Sequence, residues 1–192
     1  MRARMPMKAA PMPMAQVYNW TGFYIGGHVG GSFRGDNAFI GGSSDARFIG
    51  GGQIGVDYQF GPSWVMGLEA NYSAMANSNF TTFGNRALGS VTGRIGYAFG
   101  PALIYAKGGY AWADTRRSFG FGDGGRDGYT VGGGLEYMFA PSWSAKVEYQ
   151  YYELGRVNMI TPVAAFRNDE HTIKLGVNWR FGNWGGPSAS AY

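Results

Sequence analysis

Two histidines, His28 and His171, are the only imidazoles in the chain. Either could ligate a metal or the iron of hemin, with Met or Tyr as a co-ligand. Each is a lone histidine without a clustered partner, so they are weak candidates and neither a metal nor a cofactor is expected. Asp169, Glu170 and His171 are consecutive, the residue types of an acid–base set. Neighbours on an extended strand point to opposite faces and do not converge on a substrate. No catalytic residue is assigned, and an enzyme is not expected. Gly50-Gly51-Gly52-Gln53-Ile54-Gly55 matches a dinucleotide-binding fingerprint by letter, but that motif opens a helix, and here a period-two pattern runs on to Phe60. Asn19-Trp20-Thr21, Asn71-Tyr72-Ser73 and Asn79-Phe80-Thr81 match the glycosylation sequon without a context that would use it.

The remaining chemistry is ionic. Asp57, Glu69, Glu136 and Glu148 share a parity with Arg94, Lys107, Lys146, Lys174 and Arg180. His28, Gln53, Gln59, Asn71 and Gln150 fall on the same side. Ile25, Val29, Ile54, Val56, Leu68, Val91, Ile95, Ile104, Leu135 and Val147 fall on the other. Such charges persist in a confined interior only when paired and hydrogen-bonded. They form either a structural plug or an ion path. Eight strands leave room for little more than side chains, which favours the plug.

The elements that hold them are strands. The stretch His171–Phe181 alternates Ile173, Leu175, Val177, Trp179 and Phe181 with Thr172, Lys174, Gly176, Asn178 and Arg180. The same alternation predicts strands over 22–33, 48–60, 63–75, 90–99, 102–113, 129–140, 143–153 and 171–181. Three connections are tight: Phe60-Gly61-Pro62-Ser63-Trp64, Phe99-Gly100-Pro101-Ala102-Leu103 and Phe139-Ala140-Pro141-Ser142-Trp143. Four are long and polar, over 34–47, 76–89, 114–128 and 154–170. Short turns at one end and long loops at the other describe an all-β, eight-stranded antiparallel up-and-down transmembrane barrel. Both chain ends then lie at the short-turn, periplasmic end.

The aromatics decide which face meets lipid. Phe60, Trp64, Phe99, Phe139, Trp143, Trp179 and Phe181 gather near the short turns, with Trp112, Tyr72, Tyr110 and Tyr151 near the long loops. Two girdles around an aliphatic band are what a bilayer selects. A small interior has no room for so many rings.

Composition agrees. Charged residues are 15%, against ~25% in a typical soluble domain, and there are 34 glycines, 13 Tyr, 13 Phe and 6 Trp. There is no cysteine, so disulfides and thiolate metal sites are excluded. The net charge of +4 rests on Arg2, Arg4 and Lys8. Without them 13 basic groups face 12 acidic ones, and no basic stripe remains for nucleic acid. Residues 1–16 read as a flexible tail, 17–181 as the barrel and 182–192 as a second tail. The first tail lacks the apolar core of an export signal; the reading is that such a signal was removed or replaced before this numbering. Met5, Met7, Met12, Met14, Trp184 and Tyr192 make the tails candidates for self-association or for an envelope partner.

Val17-Tyr18-Asn19-Trp20-Thr21-Gly22-Phe23-Tyr24-Ile25-Gly26-Gly27 resembles the first strand of the small porin-family outer-membrane proteins of alphaproteobacteria. His171–Phe181 resembles that family's last strand, and Arg94-Ile95-Gly96-Tyr97 and Val147-Glu148-Tyr149 its internal ones. The resemblance covers about 17–181. It implies an OmpA-like barrel in the outer membrane, in contact with outer-membrane lipids and the barrel assembly machinery. It also implies a surface antigen, with porin-like or hemin-binding roles described for some members. Such barrels usually end at their terminal aromatic, whereas here Phe181 is followed by Gly182-Asn183-Trp184 and a Ser/Ala tail. Two function classes follow: a structural surface barrel, or a narrow channel or hemin receptor.

Overall fold

A computed structural model describes residues 18–34, 47–76, 83–115, 126–154 and 169–182. The expectations placed on the tails, on most of the four long connections and on the sequon at Asn79 lie outside these residues. Alternating chemistry over ~10 residues gives each segment one face for lipid and one for the interior. The segments form β1 (Gly22–Arg34), β2 (Arg47–Phe60), β3 (Trp64–Ala76), β4 (Phe83–Phe99), β5 (Ala102–Thr115), β6 (Arg126–Ala140), β7 (Trp143–Leu154) and β8 (Asp169–Phe181). Each strand pairs antiparallel with its chain neighbours, and β1 pairs with β8 to close the barrel. Closure leaves no unpaired edge, the condition for placing strands in hydrocarbon.

Seven strands begin and end within three residues of the ranges predicted from alternation. The exception is β4, which starts at Phe83 rather than at 90. Its first residues, Gly84-Asn85-Arg86, have loop chemistry, yet the ladder persists to Arg86 opposite Thr115. It bulges opposite β3 between Ala74 and Ala76. The lipid-face positions of that extension, Ala87 and Gly89, are small, so it lacks the outward aliphatic alternation that marks the other strands.

The short turns are built by left-handed backbone at Gly61 (φ 66°) and Gly100 (φ 63°), a region that only glycine enters without cost. The third turn has Ala140 at the matching position and a bulge at Met138/Ala140 instead. Each turn also feeds the next strand pair. The Ser63, Pro101 and Ser142 carbonyls accept from the backbone N–H groups of Ala98, Met138 and Arg180 at 2.6, 2.8 and 2.7 Å.

On the outer face the aliphatic residues are exposed, among them Ile25, Val29, Ile54, Leu68, Val91, Ile104 and Leu135. The rings near the short turns pack on one another. Trp64 meets Tyr97 edge-on at 5.4 Å between centroids, and Trp179 lies 5.2 Å from Phe181. Phe99, Phe139 and Trp143 are exposed and Phe60 half-buried in the same band. Trp112, near the long loops, is half-buried and sits across from Gly89, where an added Cβ would meet its indole.

Candidate functional site

The lumen is layered. At the short-turn end Trp20, Val65, Ala98, Leu103, Tyr105 and Met138 form an apolar layer, with Tyr18 packed against it. Toward the long loops a second apolar layer holds Ile49, Met75, Leu88, Ala111, Tyr152 and Leu154. Between them lie all nine charges that the parity pattern selected, each buried.

Eight of the nine are joined in two closed circuits of four. In the first, Arg94 donates to Asp57 through Nε (2.7 Å) and Nη2, and to Glu136 through Nη1 (3.1 Å). Arg180 Nη2 reaches Asp57 Oδ2 at 2.9 Å and Glu136 Oε1 at 3.0 Å. These four residues come one each from β2, β4, β6 and β8. In the second circuit Lys107 bridges Glu69 and Glu148, both at 2.8 Å. Lys146 bridges the same two carboxylates at 2.7 and 3.3 Å. Those residues come from β3, β5 and β7, and Tyr24 of β1 donates to Glu69 at 2.8 Å. Even strands thus meet in one circuit and odd strands in the other, as inward residues of alternate strands fall into layers. Arg94 Nη1 lies 3.9 Å from Glu69 and couples the two.

Neutral groups complete the network. Glu136 accepts from Ser144 Oγ (2.5 Å) and Asn178 Nδ2 (2.9 Å), and Tyr105 donates to Glu148 (2.8 Å). The Arg94 guanidinium lies 4.7 Å from the Tyr24 ring centroid and 5.1 Å from that of Tyr105, within cation–π range. Lys174 stands apart: it donates to Gln150 (2.7 Å) and the Tyr152 hydroxyl (2.8 Å), and its carboxylate contact is Glu148 at 3.9 Å.

Both ring nitrogens of His28 are engaged, as is Nδ1 of His171. His28 is buried, with Nδ1 2.5 Å from Gln53 Oε1 and Nε2 2.7 Å from Ser73 Oγ. His171 is on the outer face, 2.6 Å from the Tyr149 hydroxyl and beside the Tyr151 ring. Glu170 points inward to the Ser32 hydroxyl, so it does not converge with His171. Among the described residues no three His, Asp or Glu side chains are grouped to hold a metal. The Gly50–Gly55 run lies inside β2, with no helix after it.

The interior holds four large rings that the sequence analysis left out: Trp20, Tyr24, Tyr105 and Tyr152. Parity marks three of them, since Tyr24 alternates with Phe23 and Ile25, Tyr105 with Ile104, and Tyr152 with Tyr151. Their space comes from glycine. A Cβ built on Gly55 would lie 2.3 Å from Tyr24 Cζ, and one on Gly134 2.8 Å from the Tyr105 hydroxyl. Gly55→Val is therefore expected to destabilise the barrel by about 1–3 kcal/mol through overpacking. Tyr24→Ala in the same background should recover part of that loss in urea titrations of the refolded protein. Two independent, additive losses would dissociate the glycine from the ring.

The model of the outer membrane protein beta-barrel domain matches residues 6–181. The 22 kDa outer membrane protein of Rhizobium leguminosarum bv. viciae is 30% identical over 182 residues, covering 90% of this chain and 83% of that protein. The 31 kDa outer-membrane immunogenic protein of Brucella melitensis is 29% identical over 212 residues, covering 90% and 87%. Two solved barrels share the fold at 16% identity. Neisserial surface protein A aligns with a TM-score of 0.55 over 84% of this chain and 98% of its own. The attachment invasion locus protein Ail of Yersinia pestis aligns at 0.57 over 84% and 99%.

Proposed function

The chain belongs to the outer membrane protein beta-barrel family and resides in the outer membrane; from that premise we propose that it is a non-conducting envelope barrel displaying its long loops at the cell surface. The observation that carries this reading is the doubly braced charge lattice, enclosed between two apolar layers. A water-filled channel needs a continuous polar path. Here the inward rings and aliphatic side chains of both layers interrupt it. The short turns face the periplasm and the loops face outward in this reading, as the aromatic and proline-rich turn end suggests. Surface display also accords with the relatives named as immunogenic outer-membrane proteins.

The channel alternative would use the charges as an ion path, but each is engaged by others within the lattice. The hemin alternative would use His28, whose two ring nitrogens already face Gln53 and Ser73. The test is conductance of the purified full-length protein in a planar bilayer. A silent membrane is expected at potentials that leave the bilayer intact. Reproducible single-channel steps, abolished by heat unfolding of the protein, would overturn the closed-barrel reading.

A further inference from the structure

Asn19-Trp20-Thr21 precedes the barrel wall and belongs to neither the lipid face nor the charge circuits. Trp20 is nonetheless 0% exposed. It reaches that position by a short turn. Asn19 Oδ1 accepts from the Thr21 backbone N–H at 2.9 Å, the side-chain-to-backbone turn that asparagine favours. Gly22 follows with φ 145°, and a Cβ there would lie 2.6 Å from the Gly182 carbonyl oxygen. Only glycine lets the chain swing from the mouth into β1 at this point.

The cup that receives the indole is built from several strands. Val65, Ala98, Leu103 and Met138 supply its apolar wall. The Gly100 carbonyl accepts from the indole N–H at 3.3 Å, and Gln59 Oε1 accepts from the Trp20 backbone N–H at 3.0 Å. Above the ring lies Arg180, its guanidinium carbon 4.5 Å from the indole centroid and its Nη1 3.2 Å from the Trp20 carbonyl oxygen. One face of the ring therefore covers a member of the charge lattice while its edge is fixed to a short turn. A buried tryptophan with its N–H satisfied is a rigid, area-rich closure.

We infer that Tyr18–Thr21 is a stopper: an aromatic segment of this chain bound in a dedicated cup at the short-turn mouth, shutting the charge lattice off from the aqueous compartment on that side. The inference goes beyond the closed-barrel reading, because a lumen can be closed by strand residues alone, and it gives the closure to a segment outside the strands.

The chain has no cysteine, so single thiols report access cleanly. Ala98→Cys places a thiol in the Trp20 layer, and Ala111→Cys places one in the opposite apolar layer as a control. Both are introduced into the full-length, refolded protein and reacted with a small charged thiosulfonate. With Trp20 present, both thiols should react slowly. Adding Trp20→Ala should speed the Ala98→Cys thiol by about tenfold or more, since thiol reaction follows exposure, and leave the Ala111→Cys thiol unchanged. Trp20→Phe should stay near the parent rate. If Trp20→Ala does not fold, Trp20→Leu, smaller and without a ring to cover the mouth, is the substitute, and an intermediate rate is expected. Equal rates at Ala98→Cys across the Trp20 series would overturn the stopper, as would fast reaction of that thiol in the parent. A silent bilayer with equal rates would sink the stopper and spare the closed-barrel reading. Conducting steps from the parent protein would sink both, because an ion path needs the short-turn mouth open.

Discussion

Replacing Arg94 with methionine is expected to cost about 3–5 kcal/mol of unfolding free energy, because it strips a buried cation from carboxylates that stay behind. Among the nine charges Arg94 alone forms ion pairs in both circuits, with Asp57 and Glu136 in one and Glu69 in the other. Its loss leaves Asp57 with Arg180 as the remaining cation. Lys174→Met is the control. It changes the formal charge of the lumen by the same amount, but removes the cation whose carboxylate contact is longest, 3.9 Å. Lys174 also gives two hydrogen bonds to neutral groups; their loss, partly offset because no buried ammonium is left to desolvate, is expected to cost about 1–2 kcal/mol. Urea titration of refolding into lipid vesicles would measure both. The prediction depends on location rather than on charge count. Equal effects from the two variants would mean that the lumen is solvated enough to screen its pairs, and the closed-barrel reading would lose its main support.

The reason to spend desolvation energy on such a lattice is register. Buried ion pairs return little net stability compared with apolar packing. A slip of one residue along any strand, however, would turn its charge toward lipid and its aliphatic residues inward. Asp57, Arg94, Glu136 and Arg180 meet only when β2, β4, β6 and β8 are all in register. Arg180 lies on the last strand to be made, and it also binds the Trp20 carbonyl ahead of the first. Its contacts with Trp20 and with Asp57 of β2 span the seam where the barrel closes.

Much of this was legible in the sequence, for a physical reason. A bilayer imposes strict alternation on every strand, so Leu68 against Glu69, or Val147 against Glu148, assigns both faces without any tertiary information. The three tight turns, each with a proline, marked strand ends through local backbone chemistry as well. Pairing across the lumen was not legible: parity puts Glu69 and Lys107 inside, but barrel stagger decides which charges reach each other. The inward Tyr24 and Tyr105 were hidden by the premise that rings belong to the girdles. Their opposite parity was visible, and so were Gly55 and Gly134, the glycines that admit them. Trp20 had no strand of its own to mark it, since it precedes the first strand and is held by a distant turn carbonyl at Gly100 and by the Arg180 side chain of β8.

Leu68→Arg is expected to destabilise the barrel by about 2–4 kcal/mol in vesicles, the cost of arginine on the lipid face near the bilayer midplane. Leu68 is 60% exposed and lies midway along β3 between the ring-bearing positions Trp64 and Tyr72. Three residues on, Asn71 is on the opposite face, buried, with neither amide atom hydrogen-bonded among the described residues. Asn71→Leu therefore orphans no partner, and a change within about 1 kcal/mol of the parent is expected. The pair inverts the outcome for a water-soluble barrel. There, an arginine at an exposed position costs little, and the exposed aliphatic band would itself be the anomaly. Refolding yield and urea midpoint in vesicles of matched thickness provide the measurement. A neutral Leu68→Arg beside a severe Asn71→Leu would reverse the assignment of the two faces, and with it the placement of the charge lattice inside.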